Sequence, residues 1–456
     1  MAGVVAIGPG PLDRADVVAV ARGGALVELT GEALDAMAAS RRHVEALAAD
    51  DRPHYGVSTG FGALATLHIA PERRAALQQS LIRSHAAGAG AEVEREVVRA
   101  LMLLRLRTLA TGRTGARPGT AAALAALLNA GLTPVVPEHG SLGCSGDLAP
   151  LAAVAMALTG EGWLRDRSGV LRPASDAVPE AGIAPVTLSE KEGLALLNGT
   201  DGMLGMLVLA IADLGLLADT ADLAAAMSVE ALLGTDAAFA ADLLALRPHP
   251  GQAVSAARMR ALLTGSEVMA SHRDPAVCTR VQDAYSLRCA PQVHGAARDT
   301  LAHAETVADR ELAAAIDNPV VLPDGRVESN GNFHGAPLAY VQDFLAIPVA
   351  DVASMAERRT DRMLDPARNA GLPPFLADTP GVDSGHMIAH YTQASVVAEL
   401  KRLAVPASVD SIPTSAMQED HVSMGWAAAR KLRLAFDGLA TVLAVEVLTA
   451  ARALVL

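Results

Sequence analysis

The feature that most constrains this chain is how little its apolar half relies on rings. Hydrophobic residues make up 51% of the 456 residues, but aromatic residues only 3%. The core must be filled by Ala, Leu and Val, which favours close-packed helices. Residues 203–233 read as one long helix. Residues 338–363 read as another, with Val341, Phe344, Leu345, Val349, Val352 and Ala356 on one stripe expected to face the core. Pro348 is expected to kink it. The longest apolar run, residues 203–211, is cut by Asp213 and followed by Asp219 and Asp222, so it is expected to be too short to cross a bilayer.

Charge and cysteine usage narrow the function classes. Thirty-seven Lys and Arg against 50 Asp and Glu give a net charge of −13. That balance argues against a nucleic-acid or anionic-membrane surface. Cys144, Cys278 and Cys289 show no CxxC spacing and cannot all pair, which points to a reducing cytoplasm and away from structural zinc. The first ten residues lack the positive segment that precedes a secretory signal.

Taken in order, residues 1–50 suggest a small irregular cap that ends in a helix over 31–48. Residues 55–62, Tyr-Gly-Val-Ser-Thr-Gly-Phe-Gly, are too glycine-rich for a helix and read as a loop. The segment has no GK[ST] and no GxGxxG after a strand, so a nucleotide site is not expected. A helix over 71–86 places Leu77, Leu81, Ile82 and His85 along one face, with His85 inward. Helices follow at 93–109 and 120–128. Residues 161–186 read as loop, and 189–199 as a short helix with Asn198 at its C-terminal end. In residues 281–293, Gln282, Tyr285 and Arg288 fall at i, i+3 and i+6 and share one side of a helical turn. An arginine there suits a bidentate grip on a carboxylate. Residues 317–337 are turn-rich and predict a loop or short hairpin. His386 and His390 are four apart, but no third ligand accompanies them and no metal is expected. Residues 410–424 are polar and loop-like, and a last helical tract runs to 456. The chain divides into a site-bearing region, 1–200, and a long-helix region, 201–456.

Residues 140–150, Gly-Ser-Leu-Gly-Cys-Ser-Gly-Asp-Leu-Ala-Pro, carry the most chemistry. Gly146 leaves its amide nitrogen unhindered, so the backbone can fold back onto the carbonyl carbon of Cys144. Ring closure and loss of two waters, the second carrying away the Ser145 hydroxyl, would leave a methylidene-imidazolone, an electrophile that no standard side chain offers. Asp147 stands at an N-cap position with Pro150 in the first helical turn. Locally, a plain turn capping a helix is the better account of these residues.

These segments, together with Ser-His-Ala-Ala-Gly, Leu-Leu-Asn-Gly-Thr, Gln-Asp-Ala-Tyr-Ser-Leu-Arg-Cys, Gly-Asn-Phe-His and Gln-Glu-Asp-His-Val-Ser-Met, resemble the histidine ammonia-lyase branch of the aromatic amino acid lyases in content and order. The resemblance implies a mainly α fold of the fumarase/aspartase-like superfamily, with a central bundle of long helices and an irregular N-terminal half bearing the prosthetic group. It implies a cytoplasmic homotetramer with shared active sites, an amino-acid substrate, and no nucleic-acid or membrane partner. The methylidene-imidazolone would form from Cys144, Ser145 and Gly146, with no external cofactor and no metal. The implied reaction is ammonia elimination from L-histidine to give trans-urocanate. The alternatives are a related lyase or 2,3-aminomutase acting on tyrosine or another aromatic amino acid, and a non-catalytic helical assembly protein.

By the same resemblance, Tyr55 is the base for the β-proton and Tyr285 a second catalytic residue, while Asp147 and Asn198 support the ring. Arg288 binds the substrate carboxylate. His85 and Glu419 select the side chain, and Gln282 and Phe333 line the site. Three residues depart from the family's pattern: Cys144 stands for alanine, Met417 for asparagine and Asp201 for glutamine. His386 and His390 also replace a phenylalanine and a glutamine. Family members usually continue some tens of residues beyond position 456.

Overall fold

The computed structural model describes residues 3–50, 52, 54, 56–60, 67–274, 276, 278 and 280–456. Helices dominate. The longer ones are α1 (Gly31–Ala48), α2 (Arg74–His85), α3 (Arg95–Ala110), α4 (Pro118–Asn129), α5 (Leu148–Leu158), α6 (Asp201–Ala231), α7 (Pro250–Leu263), α8 (Ala290–Leu312), α9 (Ala336–Leu364), α10 (Met387–Leu403) and α11 (Gly425–Val455). The mainly α fold expected from the alanine- and leucine-rich composition is the one observed. The chain forms two compact units. One comprises residues 1–209, 306–340 and 407–429, the other residues 210–305, 341–406 and 430–456.

In the first unit, α3 is buried along almost its whole length. Its arginines are neutralised by carbonyl dipoles rather than water. Arg99 donates to the carbonyls of Val20 and Leu128, and burial lowers its pKa to about 10. Arg105 donates to the carbonyls of Ala195, Asn198 and Ile316 and pairs with buried Asp201 at 2.9 Å. A buried charge is tolerable when most of its donors are occupied in this way. One guanidinium thus ties together residues 195–201 and residue 316.

Short strands decorate this unit. Val4–Ile7 and Leu26–Leu29 pair in parallel, so the N-terminal region is more ordered than the irregular cap expected. Residues 161–186, expected as loop, contain the antiparallel strands Trp163–Arg165 and Leu171–Pro173 and a short helix, Ala174–Glu180. Alternating and polar residues hid these short elements, which are too brief to show a period. The hairpin expected within 317–337 is present as Val320–Val321 paired with Val327–Glu328. Just before it in sequence, buried Asp317 pairs with buried Lys191 at 2.5 Å.

The second unit has a core of Phe239, Met259, Leu263, Met269, Leu287 and Met363, among others. Its buried charges are paired: Arg359 with Glu446, which also accepts from Ser228, and Asp222 with His294 and Arg298. α9 runs through Pro348 as one helix. The stripe expected on it is buried at Val341, Leu345, Val349, Val352 and Ala356, but Phe344 is 47% exposed, a correction to its core assignment. Phe344 lies with exposed Ile347 rather than with the buried face.

The bilayer expectation also needs correcting. By length and composition alone, Glu192–Ala231, Ala336–Leu364 and Gly425–Val455 are each long and apolar enough to cross a membrane. The run counted from residue 203 had omitted residues 193–200, in which no charge occurs. Most of the first stretch's apolar window, 72%, is nonetheless buried inside the protein.

Candidate active site

The loop before α5 is pinned by backbone from three distant stretches. The amide of Met424 donates to Leu142 O, that of Gly335 to Gly143 O, and that of Asp147 to Gly199 O at 2.7 Å. The Ser423 hydroxyl adds a 2.7 Å bond to Gly143 O. Gly146 sits at φ +79°, and a Cβ there would lie 2.2 Å from Gly199 O. No side chain fits, so glycine is required here by packing as well as by backbone conformation.

Asp147 departs from the expected N-cap. It precedes α5, but its side chain makes no cap bond to that helix. Its carboxylate instead accepts the amides of Gly202 and Met203 in the first turn of α6, at 2.9 and 3.0 Å, and the Ser141 hydroxyl at 2.8 Å. The orphan N–H groups that a helix start leaves are satisfied from across the sequence. Asp147 is fully buried. Burial, reinforced by nearby Asp201, pushes its carboxyl up to about 7 against the pull of these hydrogen bonds.

Glu419 faces the other side of the tripeptide. Its Oε1 accepts the Ser145 hydroxyl at 3.0 Å, and its Oε2 accepts the Cys144 thiol at 3.1 Å and the Thr414 hydroxyl at 3.2 Å. Burial and the adjacent carboxylate raise the Cys144 thiol to about 12, so it stays protonated and acts as a donor. The residues between Thr414 and Glu419 turn sharply, with Ser415, Ala416 and Met417 all at positive φ (53°, 53° and 69°). An antiparallel bridge between Thr414 and Glu419 closes the turn.

The other expected site residues take varied positions. Asn198 is buried and donates to Asn318 O at 2.8 Å, and its neighbour Gly199 packs on Gly146. His85, expected inward, is only half-buried at the end of α2, and its Nδ1 lies 2.8 Å from Leu81 O. A donating Nδ1–H leaves Nε2 as the acceptor. Phe333 is half-buried, and the next residue, His334, stacks on His421 with centroids 5.6 Å apart.

In the second unit the helical turn is shorter than expected. Only Tyr285–Arg288 is helical, and Gln282 lies outside it and exposed. Arg288 lies over the Tyr285 ring at 4.7 Å, Tyr285 is 70% exposed, and Arg288 Nε has no hydrogen-bond partner among the described residues. Tyr55 lies outside the described residues. His386 and His390 bond to different groups, Thr449 and Glu357.

A sequence profile described as aromatic amino acid lyase matches residues 12–456. The chain belongs to the aromatic amino acid lyase family. This family carries an internal methylidene-imidazolone group. Histidine ammonia-lyases of Streptomyces avermitilis and Streptomyces coelicolor are each 66% identical over 450 residues, covering 99% of this chain and 88% of theirs. Among solved structures, a histidine ammonia-lyase from Trypanosoma cruzi superposes with a TM-score of 0.90 at 38% identity, covering 99% of this chain and 85% of that one. A tyrosine aminomutase from Streptomyces globisporus superposes at 0.93 and 38%, covering 99% and 88%. Thr414, Ser141 and His334 went unnoticed in the sequence. Thr414 sits five residues before Glu419, and nothing in the local pattern distinguishes its hydroxyl from those of neighbouring loop residues.

Proposed function

We propose that this chain removes ammonia from L-histidine to give trans-urocanate, using an electrophile made from its own Cys144, Ser145 and Gly146. The observation that carries this reading is the Glu419 carboxylate set against both Cys144 and Ser145. Its context is a chain 66% identical to histidine ammonia-lyases along 99% of its length. Similarity to the tyrosine aminomutase is much lower, at 38%.

The residues present fit the prosthetic group. Gly146 has no Cβ to obstruct approach of its nitrogen, and its close packing on Gly199 leaves room for none. Once formed, the methylidene-imidazolone supplies the electrophilic carbon that makes the substrate's amino group able to leave. The remaining tasks fall to side chains. Arg288, whose guanidinium lies over the exposed Tyr285 ring, grips the substrate carboxylate. Glu419 accepts the imidazole's N–H, and His85 lines the same side chain. Tyr55 takes the β-proton, while Tyr285, Gln282 and Phe333 order the substrate. Orientation of this kind lowers the barrier by several kcal/mol, about the range known for well-placed groups. Asn198 and Asp147 hold the backbone that bears the ring.

A homotetramer is part of the same reading. Exposed Leu216 and Leu223 on α6, Phe344 and Ile347 on α9, and Leu434 and Leu448 on α11 are the surface that such an assembly would cover. Three free cysteines agree with a cytoplasmic setting.

Product absorbance after incubation with L-histidine, L-tyrosine or L-phenylalanine tests the substrate, with urocanate expected from histidine alone. Turnover of tyrosine without histidine would favour the aminomutase-like reading. Intact mass tests the chemistry, since maturation removes two waters per chain. The full unmodified mass in soluble protein would favour a non-catalytic assembly.

A further inference from the structure

The two oxygens of Glu419 are unequally occupied. Oε2 receives two donors that belong permanently to the chain, the Cys144 thiol and the Thr414 hydroxyl. Among the described residues, Oε1 receives only the Ser145 hydroxyl. In the second dehydration the Ser145 Cα–H and Cβ–Oγ bonds break, a Cα–Cβ double bond forms, and the oxygen departs as water. That loss vacates Oε1 and leaves Oε2 held.

We infer that Cys144 and Thr414 are positioning residues that fix Glu419 through Oε2, so that Oε1, vacated when Ser145 loses its hydroxyl, is presented to the substrate's imidazole N–H. The inference rests on the histidine reading above. It explains why the tight turn between Thr414 and Glu419 persists: three consecutive side-chain-bearing residues at positive φ are each unfavourable, and they are retained only where neighbouring contacts over-determine them. Thr414 supplies those contacts twice, through its backbone bridge to Glu419 and through its hydroxyl. Cys144 supplies a second, weaker donor from the tripeptide itself. An alanine at that position would leave Thr414 as the sole donor to Oε2.

Binding, not turnover, tests this. Ser145→Ala removes the hydroxyl and cannot form the methylidene, so L-histidine binds without reacting and its affinity can be read by titration calorimetry. In that background, Thr414→Val is expected to weaken L-histidine about fivefold or more, and Cys144→Ala about two- to threefold, in line with lost hydrogen bonds to a charged acceptor. Thr414→Ser and Cys144→Ser are expected to restore affinity to within about twofold, which a merely structural role would not produce. Thermal melting of each variant confirms folding. Equal affinity for L-histidine with and without both donors would overturn the inference and leave the substrate reading intact. Binding of L-tyrosine with no binding of L-histidine would overturn the substrate reading, and the inference with it.

Discussion

Residues 140–150 and residues 282–288 both carry expected site residues, yet the structure treats them oppositely. Around Cys144 and Ser145 the polar side chains are satisfied by the chain's own groups, as with Asp147 by Ser141 and two helix amides. Around Arg288, Tyr285 is 70% exposed, and buried Arg288 Nε has no partner among the described residues. In the proposed function the first stretch makes and holds the reactive group, and the second, with the Tyr285 ring exposed beneath the Arg288 guanidinium, binds what arrives later.

Substitutions can break or sharpen that contrast. The largest expected effect is from Ser145→Ala, which should abolish turnover while leaving the melting temperature and helical circular dichroism unchanged. Residual turnover would remove the first stretch from the chemistry. Next comes thiol reactivity. With the Cys144 thiol raised to about 12, its thiolate at pH 8 is scarcer by about a thousandfold than that of an ordinary thiol. Alkylation of the Ser145→Ala protein followed by peptide mass analysis should therefore label half-exposed Cys289 while sparing Cys144. Rapid labelling of Cys144 would show that the first stretch is open. Arg288→Ala should then raise KM for histidine about a hundredfold with little change in stability, the loss typical of a charged hydrogen-bonded partner. A stability loss with unchanged KM would make Arg288 structural.

The smallest expected effect is on pH dependence. Asp147 binds its proton more tightly folded than unfolded, since its carboxyl is raised to about 7 from the ordinary value near 3.8. Its contribution to stability is therefore full at acid pH and is lost as pH rises through 7. Asp147→Asn can keep all three hydrogen bonds, its amide donating to Ser141. Between pH 5 and pH 8 it should lose less stability than the parent by about 2–3 kcal/mol, measured by urea unfolding. An identical slope would place the titration elsewhere.

The contrast also separates what was legible in the sequence from what was not. Helix periodicity and the glycine-rich turns located the long helices and the hairpin, because those signals are local. The motifs located Ser145, Asn198 and Glu419, but their order along the chain carried no geometry. That the Asp147 carboxylate serves α6 and not α5 is a contact across some fifty residues, and nothing in the spacing announces it. Phe344 was misassigned because a stripe at helical period shows which residues share a side, not which flank of that side meets water. Thr414 was missed because hydroxyls in a polar loop look alike until one of them meets a carboxylate.

The close approach of Gly146 to Gly199 and the contact of Cys144 with Glu419 divide the tripeptide into positions with different prospects for change. Position 146 is locked: a Cβ there would lie 2.2 Å from Gly199 O, and the proposed ring closure demands the same bare glycine, so no compensating mutation at one site can release it. Position 144 is adjustable, because its side chain touches the carboxylate proposed to meet the substrate and is not needed for the proposed ring closure. Attempts to redirect this catalyst toward other side chains therefore have a natural starting pair in residues 144 and 414, which can be varied while the machinery that builds the electrophile is left alone.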